Sequence, residues 1–555
     1  MWLRNAVVLI CILGSASAWY YGRPDPGAAS QGGVWPLPWT YTYENTTHVI
    51  DPASFEFVAF PKNCEIIDKA IARYKKLSFP LFKASTTRVN PTLRSVTVTV
   101  SQGCSTDYPQ EGMDESYSIS AKSNQVVATL TANTVWGALR GLETFSQLFF
   151  KDANGNWFLR PSVISDKPRF PHRGIMLDTA RHFVSVTLLK RQIDLLAQNK
   201  FNVLHWHLVD DESFPYTSAK FPDMTKGAYT SKHVYTVAQI KDVIEFARLR
   251  GIRVIPEFDT PGHTGSWGFG NPSLLADCFY SNGSPLKYAG LIDPTLNSTW
   301  TFLEDFFAEA TSLFKDNYFH FGGDEVEYLM TECWGRNVGV LQRMQDEGIG
   351  DTFTLLKKYF ADLVKVVQKH SQKTKFIFWE EVLDYNVAPE GSVAHVWKEF
   401  NSPADMGKTL SDITAKGHRA ILSSCWYLNY IKYGADWGYV DEKQTRARGM
   451  YYECDPQAFD GTDEQKALIL GGEVALWAEF VDGSNITPRL WPRASAVGER
   501  LWSDPKQTVS PDVAWPRLHE FRCRLLNRGY EVEPPNNPDY CPDEWDPQYY
   551  PDLET

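Results

Sequence analysis

A chain of 555 residues has room for two or more domains and a large core. With 67 acidic against 55 basic side chains, a net charge of -12, it has no basic excess with which to neutralise a phosphate backbone, so a nucleic-acid partner is not expected. Aromatic residues make up 14%, with 19 Trp, so stacking on flat ligands such as sugar faces stands beside core packing as their use.

The N-terminus combines Arg4, an apolar run from Ala6 to Leu13 and the small-residue site Ala16-Ser17-Ala18. This predicts a secretory signal over residues 1–18, cleaved after Ala18. The run is too short for a membrane anchor and no later stretch is longer, so no membrane span is expected. A secretory route makes the N-x-[ST] sequons at Asn45, Asn282, Asn297 and Asn485 expected glycosylation sites. It also places the eight cysteines beyond Cys11 in an oxidising compartment. Spacing favours the local disulfides Cys64–Cys104, Cys278–Cys333 and Cys523–Cys541; Cys425 and Cys454 either pair with each other or stay as buried thiols.

Residues 19–168 read as a separate unit. Arg94–Val100 alternates as a strand, Tyr117–Ser120 and Val126–Leu130 follow, and Thr134–Phe149 is helical with Val135, Leu139, Leu142, Phe145 and Leu148 on one face. Strands followed by a helix predict a small α+β domain, without a catalytic constellation. The prolines of Ser165-Asp166-Lys167-Pro168-Arg169-Phe170-Pro171 mark the boundary.

From residue 169 to 555, strands and helices alternate. Strands are predicted at Gly174–Asp178, Asn202–Leu208, Arg253–Phe258, Tyr318–Phe321, Lys375–Trp379, Val393–Trp397, Arg419–Ser424 and within Leu468–Trp477. Helices are predicted at Val186–Gln198, Thr236–Arg250, Ser298–Phe314, Phe353–His370, Ala404–Ala415, Arg493–Leu501 and Trp515–Asn527. Eight strands with helical crossovers spell an α/β fold of (β/α)8 TIM-barrel type, whose site lies at the C-terminal strand ends.

Those ends carry a coherent set of side chains: Asp178 and Arg181; His205, His207, Asp210 and Asp211; Glu257, Asp259 and His263; Asp324 and Glu325; Trp379 and Glu380; His395 and Trp397; Trp426, Tyr427 and Asn429; Trp477 and Glu479. Acids, an arginine and tryptophans together suit glycosidic-bond cleavage, which needs a proton donor, charge stabilisation and flat faces against a sugar ring. The alternation in His205-Trp206-His207 puts two imidazoles on one face, but no third residue at zinc-like spacing accompanies them. Hydrogen-bonded core histidines are therefore expected, and neither a metal nor a cofactor. At Gly322-Gly323-Asp324-Glu325 two neighbouring carboxylates follow a buried strand. In a regular strand they would point to opposite faces, so they share a pocket only if the glycines turn the backbone.

At these residues the chain resembles the lysosomal β-N-acetylhexosaminidases of glycoside hydrolase family 20. The resemblance rests on Leu177–Phe183, Phe201–Asp211, Pro256–His263, His320–Val326, Trp426–Asn429 and Gly471–Glu479, and covers essentially the whole mature chain. It implies an exo-acting, retaining hydrolase of terminal β-linked N-acetylglucosamine or N-acetylgalactosamine, in which the substrate's own 2-acetamido oxygen is the nucleophile. It further implies Glu325 as general acid and base, Asp324 on the acetamide N–H, and Tyr427 on the acetamide oxygen. Trp379, Trp397 and Trp477 would enclose the sugar, Arg181 would bind O3 and O4, and Glu479 would lie on the O4/O6 side. Asp210 and His263 would set the protonation of Glu325. Asn429 matches the subunit type that accepts anionic sugars, but Tyr430 stands where arginine is expected, so the resemblance does not carry activity on sulfated or sialylated substrates. A homodimer or related heterodimer and a lysosomal destination are also implied; secretion is the other outcome of a signal peptide. The competing reading is a non-catalytic glycan-binding protein on the same fold, which predicts a damaged Asp324–Glu325 pair.

Overall fold

The structure is a computed structural model that describes residues 33–83, 89–287, 289–398, 403–430, 436–438, 451–535 and 540–544. The expected signal over residues 1–18 lies outside the described residues.

Eight parallel strands close into a barrel: β1 His172–Asp178, β2 Val203–Val209, β3 Arg253–Phe258, β4 Tyr318–His320, β5 Lys375–Trp379, β6 Val393–Val396, β7 Arg419–Leu422 and β8 Ile469–Leu476. Closure is made by β8 against β1, in the register His172↔Gly471 through Leu177↔Leu476. Helices such as Val186–Gln198, Asn297–Leu313 and Thr352–His370 pack their apolar stripes on the outside. Inside, the barrel is layered. Val203, Ile255, Tyr318, Ile377, Val393, Ile421 and Leu470 form an apolar plug from seven strands. Two residues further along β2, β3, β4, β5 and β6 come His205, Glu257, His320, Trp379 and His395, joined by Ser423 just past the end of β7, all buried. The period of two thus places a polar layer between the plug and the mouth.

Ahead of the barrel lies a six-stranded mixed sheet in the spatial order Thr40–Tyr43, Ser162–Asp166, Tyr117–Ala121, Val127–Ala132, Ser95–Val100, Glu56–Phe60. The helices Glu65–Ser78 and Val135–Gln147 share an apolar core with this sheet. The predicted Thr134–Phe149 helix ends at Gln147, because Phe149–Lys151 pairs instead with Trp157–Leu159. Buried charges tie this domain to the barrel. Glu115 takes Arg140 Nε (2.8 Å) and Arg173 of β1 (2.6 Å), and Asp166 takes Lys200 Nζ (3.0 Å) and Trp502 Nε1.

The three expected local disulfides are present, and Cys425 and Cys454 are joined as well. Asn45, Asn282 and Asn297 are exposed, whereas Asn485 is half-buried and its side-chain amide donates to Phe480 O (2.9 Å). No helix among the described residues is long and apolar enough to cross a membrane.

Candidate active site

The end of β4 sets the geometry. Phe321 N still donates to Ile377 O (3.0 Å) and Trp379 N to Gly322 O (3.0 Å), so pairing with β5 runs on to the turn. Gly322 then has φ +67° and Gly323 φ +100°. Neither position has room for a side chain: a Cβ on Gly322 would lie 1.6 Å from Asp259 Oδ1, and one on Gly323 2.4 Å from Val382. Gly323 N donates to the same Asp259 Oδ1 (2.9 Å). Glu325 takes a left-handed conformation (φ +53°) as the N-cap of Val326–Leu329, uncommon for a non-glycine residue and costing about 1–2 kcal/mol. The result is an unequal pair: the Asp324 side chain is 9% exposed and that of Glu325 61%.

The turn packs against β3's exit. His263 Nε2 lies 3.7 Å from Asp324 Oδ2 and 3.6 Å from Glu325 Oε2. Its Nδ1 faces Asp210 Oδ1 at 3.1 Å. Asp210 Oδ2 accepts from His207 Nε2 (2.7 Å) and Arg181 (2.8 Å). Burial alone would raise Asp210, but His263, His207 and Arg181 outweigh it and hold the carboxyl well below its usual range. Burial would likewise lower His263, yet Asp324 and Asp210 hold it well above an ordinary histidine. Asp259 behaves oppositely. Burial and the neighbouring Asp324 push it well up, so it keeps its own proton.

Three strand-end tryptophans form the walls. Trp379, fully buried, lies 6.5 Å from Trp397 and 5.8 Å from Trp477, centroid to centroid. Their N–H groups are anchored: Trp379 Nε1 donates to Glu257 Oε1 (2.8 Å) and Trp397 Nε1 to Glu381 Oε2 (2.8 Å). Tyr427 stacks on Trp397 at 6.3 Å, and Tyr430 stacks on Tyr427 at 5.8 Å. Arg181 lies over Trp477 at 5.0 Å and also pairs with Asp178 (3.2 Å) and Glu212 (3.0 Å). Several buried polar atoms have no hydrogen-bond partner among the described residues: the Tyr427 hydroxyl, Asn429 Oδ1, and Asp324 Oδ1, which no N–H reaches. A well-packed interior rarely leaves such groups bare, so these three are candidates for contact with a polar ligand.

Arg181, Asp210, His263, Asp324, Glu325, Trp379, Trp397, Tyr427 and Trp477 are thus linked by contacts into one mouth. Asn429 sits beside it, half-buried, and Glu479 is exposed at the rim next to Arg181. Asp210 is 1% exposed and so is no part of a solvated turn. Glu381 was not singled out from the sequence. Adjacent to Glu380 at the start of a helical turn, it reads as surface charge, yet both are buried. Burial pushes Glu380 up to about 7; burial with Asp324 nearby pushes Glu381 up to about 8. His205 does acquire partners invisible to spacing, since nitrogens of His205, His320 and His395 lie within 4.8 Å of one another. They are engaged in hydrogen bonds, His320 Nε2 with His395 Nδ1 (3.2 Å) and His395 Nε2 with Ser423 Oγ (2.7 Å), as core histidines are.

Comparison with known proteins places this mouth in context. The description "Glycosyl hydrolase family 20, catalytic domain" matches residues 170–505, and "beta-acetyl hexosaminidase like" matches residues 34–148. The chain is 45% identical over 552 residues to beta-hexosaminidase A of Caenorhabditis elegans, covering 98% of each. It is 43% identical over 531 residues to human beta-hexosaminidase subunit beta, covering 92% of this chain and 90% of the relative. Among solved structures, the chitobiase of Flavobacterium johnsoniae superposes with a TM-score of 0.74 at 28% identity, over 89% of this chain and 72% of that one.

Proposed function

The chain belongs to glycosyl hydrolase family 20 and is an exo-acting β-N-acetylhexosaminidase, and from that premise we propose that it works by substrate-assisted retention, with Glu325 as the proton donor and Asp324 and Tyr427 as the clamp on the substrate's acetamide. The observation that carries this reading is the unpartnered Tyr427 hydroxyl among the tryptophans, close enough to the buried Asp324 carboxylate to feel its charge. One is a donor and the other an acceptor, the complement of an amide C=O and N–H.

The steps follow from that complementarity. Tyr427 donates to the acetamide oxygen and aims it at C1, while Trp379, Trp397 and Trp477 confine the ring and exclude water. The oxygen's lone pair forms the new bond to C1 as the glycosidic C1–O bond breaks, and Glu325 delivers its proton to the departing oxygen. The positive charge that develops on the cyclised acetamide lies against Asp324, whose contact strengthens as charge grows. Water then attacks C1, giving its proton to Glu325 and returning the bond pair to the acetamide. Two displacements at one carbon retain configuration. The adjacency of the two carboxylates fits this scheme better than one with an enzyme nucleophile, because neighbouring residues cannot readily stand on opposite faces of one carbon.

Arg181, held by Asp178 and Asp210, is assigned to O3 and O4, with Glu479 on the O4/O6 side and Asn429 near C6. Tyr430 packs flat on Tyr427 and offers no cation, which favours neutral over sulfated or sialylated sugars. A glycan or glycoconjugate ending in a β-linked N-acetylhexosamine is the substrate class. The family resemblance points the protein to the lysosome, and likeness to relatives named as β-hexosaminidase subunits supports its assembly as a homodimer or a heterodimer with a related subunit. Nitrophenyl β-glycosides of GlcNAc, GalNAc and glucose test the mechanism: the 2-acetamido sugars are cleaved and the glucoside is inert. A glucoside cleaved as fast as its 2-acetamido counterpart would rule out acetamide participation.

A further inference from the structure

Glu257, the penultimate residue of β3, is fully buried in the polar layer below the mouth. An ionised carboxylate there is tolerated only if donors saturate it. Oε1 accepts from Trp379 Nε1 (2.8 Å) and lies 3.2 Å from His320 Nδ1; Oε2 accepts from His207 Nδ1 (2.6 Å) and lies 2.9 Å from His205 Nε2. Two of these partners lead to different halves of the site. Trp379 is a wall of the aromatic cage. His207 passes through Nε2 to Asp210 (2.7 Å), Asp210 to His263 (3.1 Å), and His263 to Glu325 (3.6 Å).

We infer that Glu257 is a positioning residue that locks the acetamide cage and the proton-donor chain into one register, so that the sugar and the acid are aligned by a single buried carboxylate. The inference rests on the roles assigned above to Trp379 and Glu325. Both ring nitrogens of His207 face carboxylate oxygens, and only a doubly protonated imidazole can donate to both. The charges around Glu257 keep it so. His205 and His207, from β2, are cationic, since their carboxylate neighbours outweigh burial. His320, from β4, is kept neutral by burial, and Asp259, two residues along, holds its own proton. Glu257 is therefore the anion that faces the inner nitrogen of His207. An amide cannot replace it. A glutamine has one oxygen for the Trp379 and His207 donors, and its NH2 must confront one of them. Turned to Trp379, it displaces the cage wall; turned to His207, it demands a neutral ring.

Glu473 provides the control. It is equally buried and binds His172 Nε2 (2.5 Å) and His205 Nδ1 (2.9 Å), but it touches neither Trp379 nor His207. In the full chain, Glu257→Gln is expected to fold and to lose about 10- to 100-fold in kcat/KM, the range for a hydrogen bond to a charged group. The alkaline limb of its kcat/KM–pH profile should move to lower pH, because imidazoliums deprived of an anion release their protons earlier. Affinity for a thiazoline analogue of the cyclised sugar should fall in parallel. Glu473→Gln should lower Tm and leave that limb in place. A folded Glu257→Gln with wild-type kcat/KM and an unmoved limb would overturn the inference, as would a Glu473→Gln limb that moves equally. Should Glu257→Gln not fold, 15N-histidine NMR of the wild-type chain decides: His207 with both ring N–H groups at the pH of maximal activity supports the inference, and a neutral His207 overturns it. Failure of the mechanism beneath it would show separately, as hydrolysis of the plain glucoside.

Discussion

Replacing Gly322 by alanine tests whether the turn after β4 is what aligns the two carboxylates. The added Cβ would lie 1.6 Å from Asp259 Oδ1, 2.1 Å from its Cγ and 2.7 Å from its Cα, whereas real Cβ contacts stay beyond 3.0 Å. The carboxyl would have to retreat by about 1.4 Å, and because the Cα is also in the way, turning the side chain is not enough. Retreat breaks the Gly323 N–Asp259 bond that holds the turn. Alanine at φ +67° adds about 1–2 kcal/mol of backbone strain. A misplacement of about 1 Å passed on from such a clash to the neighbouring reacting groups typically costs about 100-fold in rate. Gly322→Ala is therefore expected to lose at least about 100-fold in kcat on a nitrophenyl β-GlcNAc substrate and to melt earlier, with unchanged far-UV circular dichroism. Steady-state kinetics and thermal unfolding of the purified variant measure both. Wild-type kcat in a folded Gly322→Ala protein would refute the argument that this glycine sets the site.

Tyr427→Phe should separate function from stability: kcat falls about 10- to 100-fold through loss of the acetamide contact, while Tm stays level or rises because a buried unpartnered hydroxyl has been removed. A lower Tm with unchanged kcat would point to a packing role alone. Stability should also depend on pH in a definite sense. Asp211, Glu380 and Glu381 are pushed up to about 6, 7 and 8, chiefly by burial, and His205 is held at about 9 by Glu473 and Glu257 against burial. Groups raised on folding contribute stability that is complete below their unfolded values and is lost as pH climbs through these folded ones. The depressed Asp210, Glu257 and Glu473 contribute the opposite way, losing their share only in stronger acid. Tm should accordingly be several degrees higher near about pH 5 than near about pH 8.5; an equal or reversed order would contradict the assignment.

The barrel was legible because its strands are buried on both sides and bounded by glycines, prolines and capped helices. β3 and β5 run as the residue pattern predicts, and Val186–Gln198 is a helix to the residue. Several strands of the first domain were not legible. Thr40–Tyr43, Phe149–Lys151 and Trp157–Leu159 are three or four residues long, too short for a period of two to register; Thr40–Tyr43 pairs with the distant Ser162–Ser165, and Trp157–Leu159 joins Phe149–Lys151 to the distant His48–Ile50. In the site, residue types at strand ends could be read directly, but couplings could not. Nothing local links Asp259 to Asp324, 65 positions on, or Glu257 to Trp379, 122 positions on; both links arise when the barrel closes. Glu381 was masked by its sequence neighbour, because two adjacent acids at a helix start carry the signature of a solvated N-terminus.

The contrast in exposure between Asp324 and Glu325 bears on breadth of action. On the proposed roles, the clamp for the terminal sugar is sealed, with Trp379 at 1% and the Asp324 side chain at 9%, while the group assigned to the leaving oxygen stands 61% open to solvent. Whatever is attached beyond the glycosidic oxygen would then hang outside the protein and be hardly inspected. Chain length, branching and the nature of the carrier can then vary without rebuilding the pocket, provided the terminal residue fits. Selectivity among large glycoconjugates would fall to whatever presents that end to the mouth, not to the mouth itself.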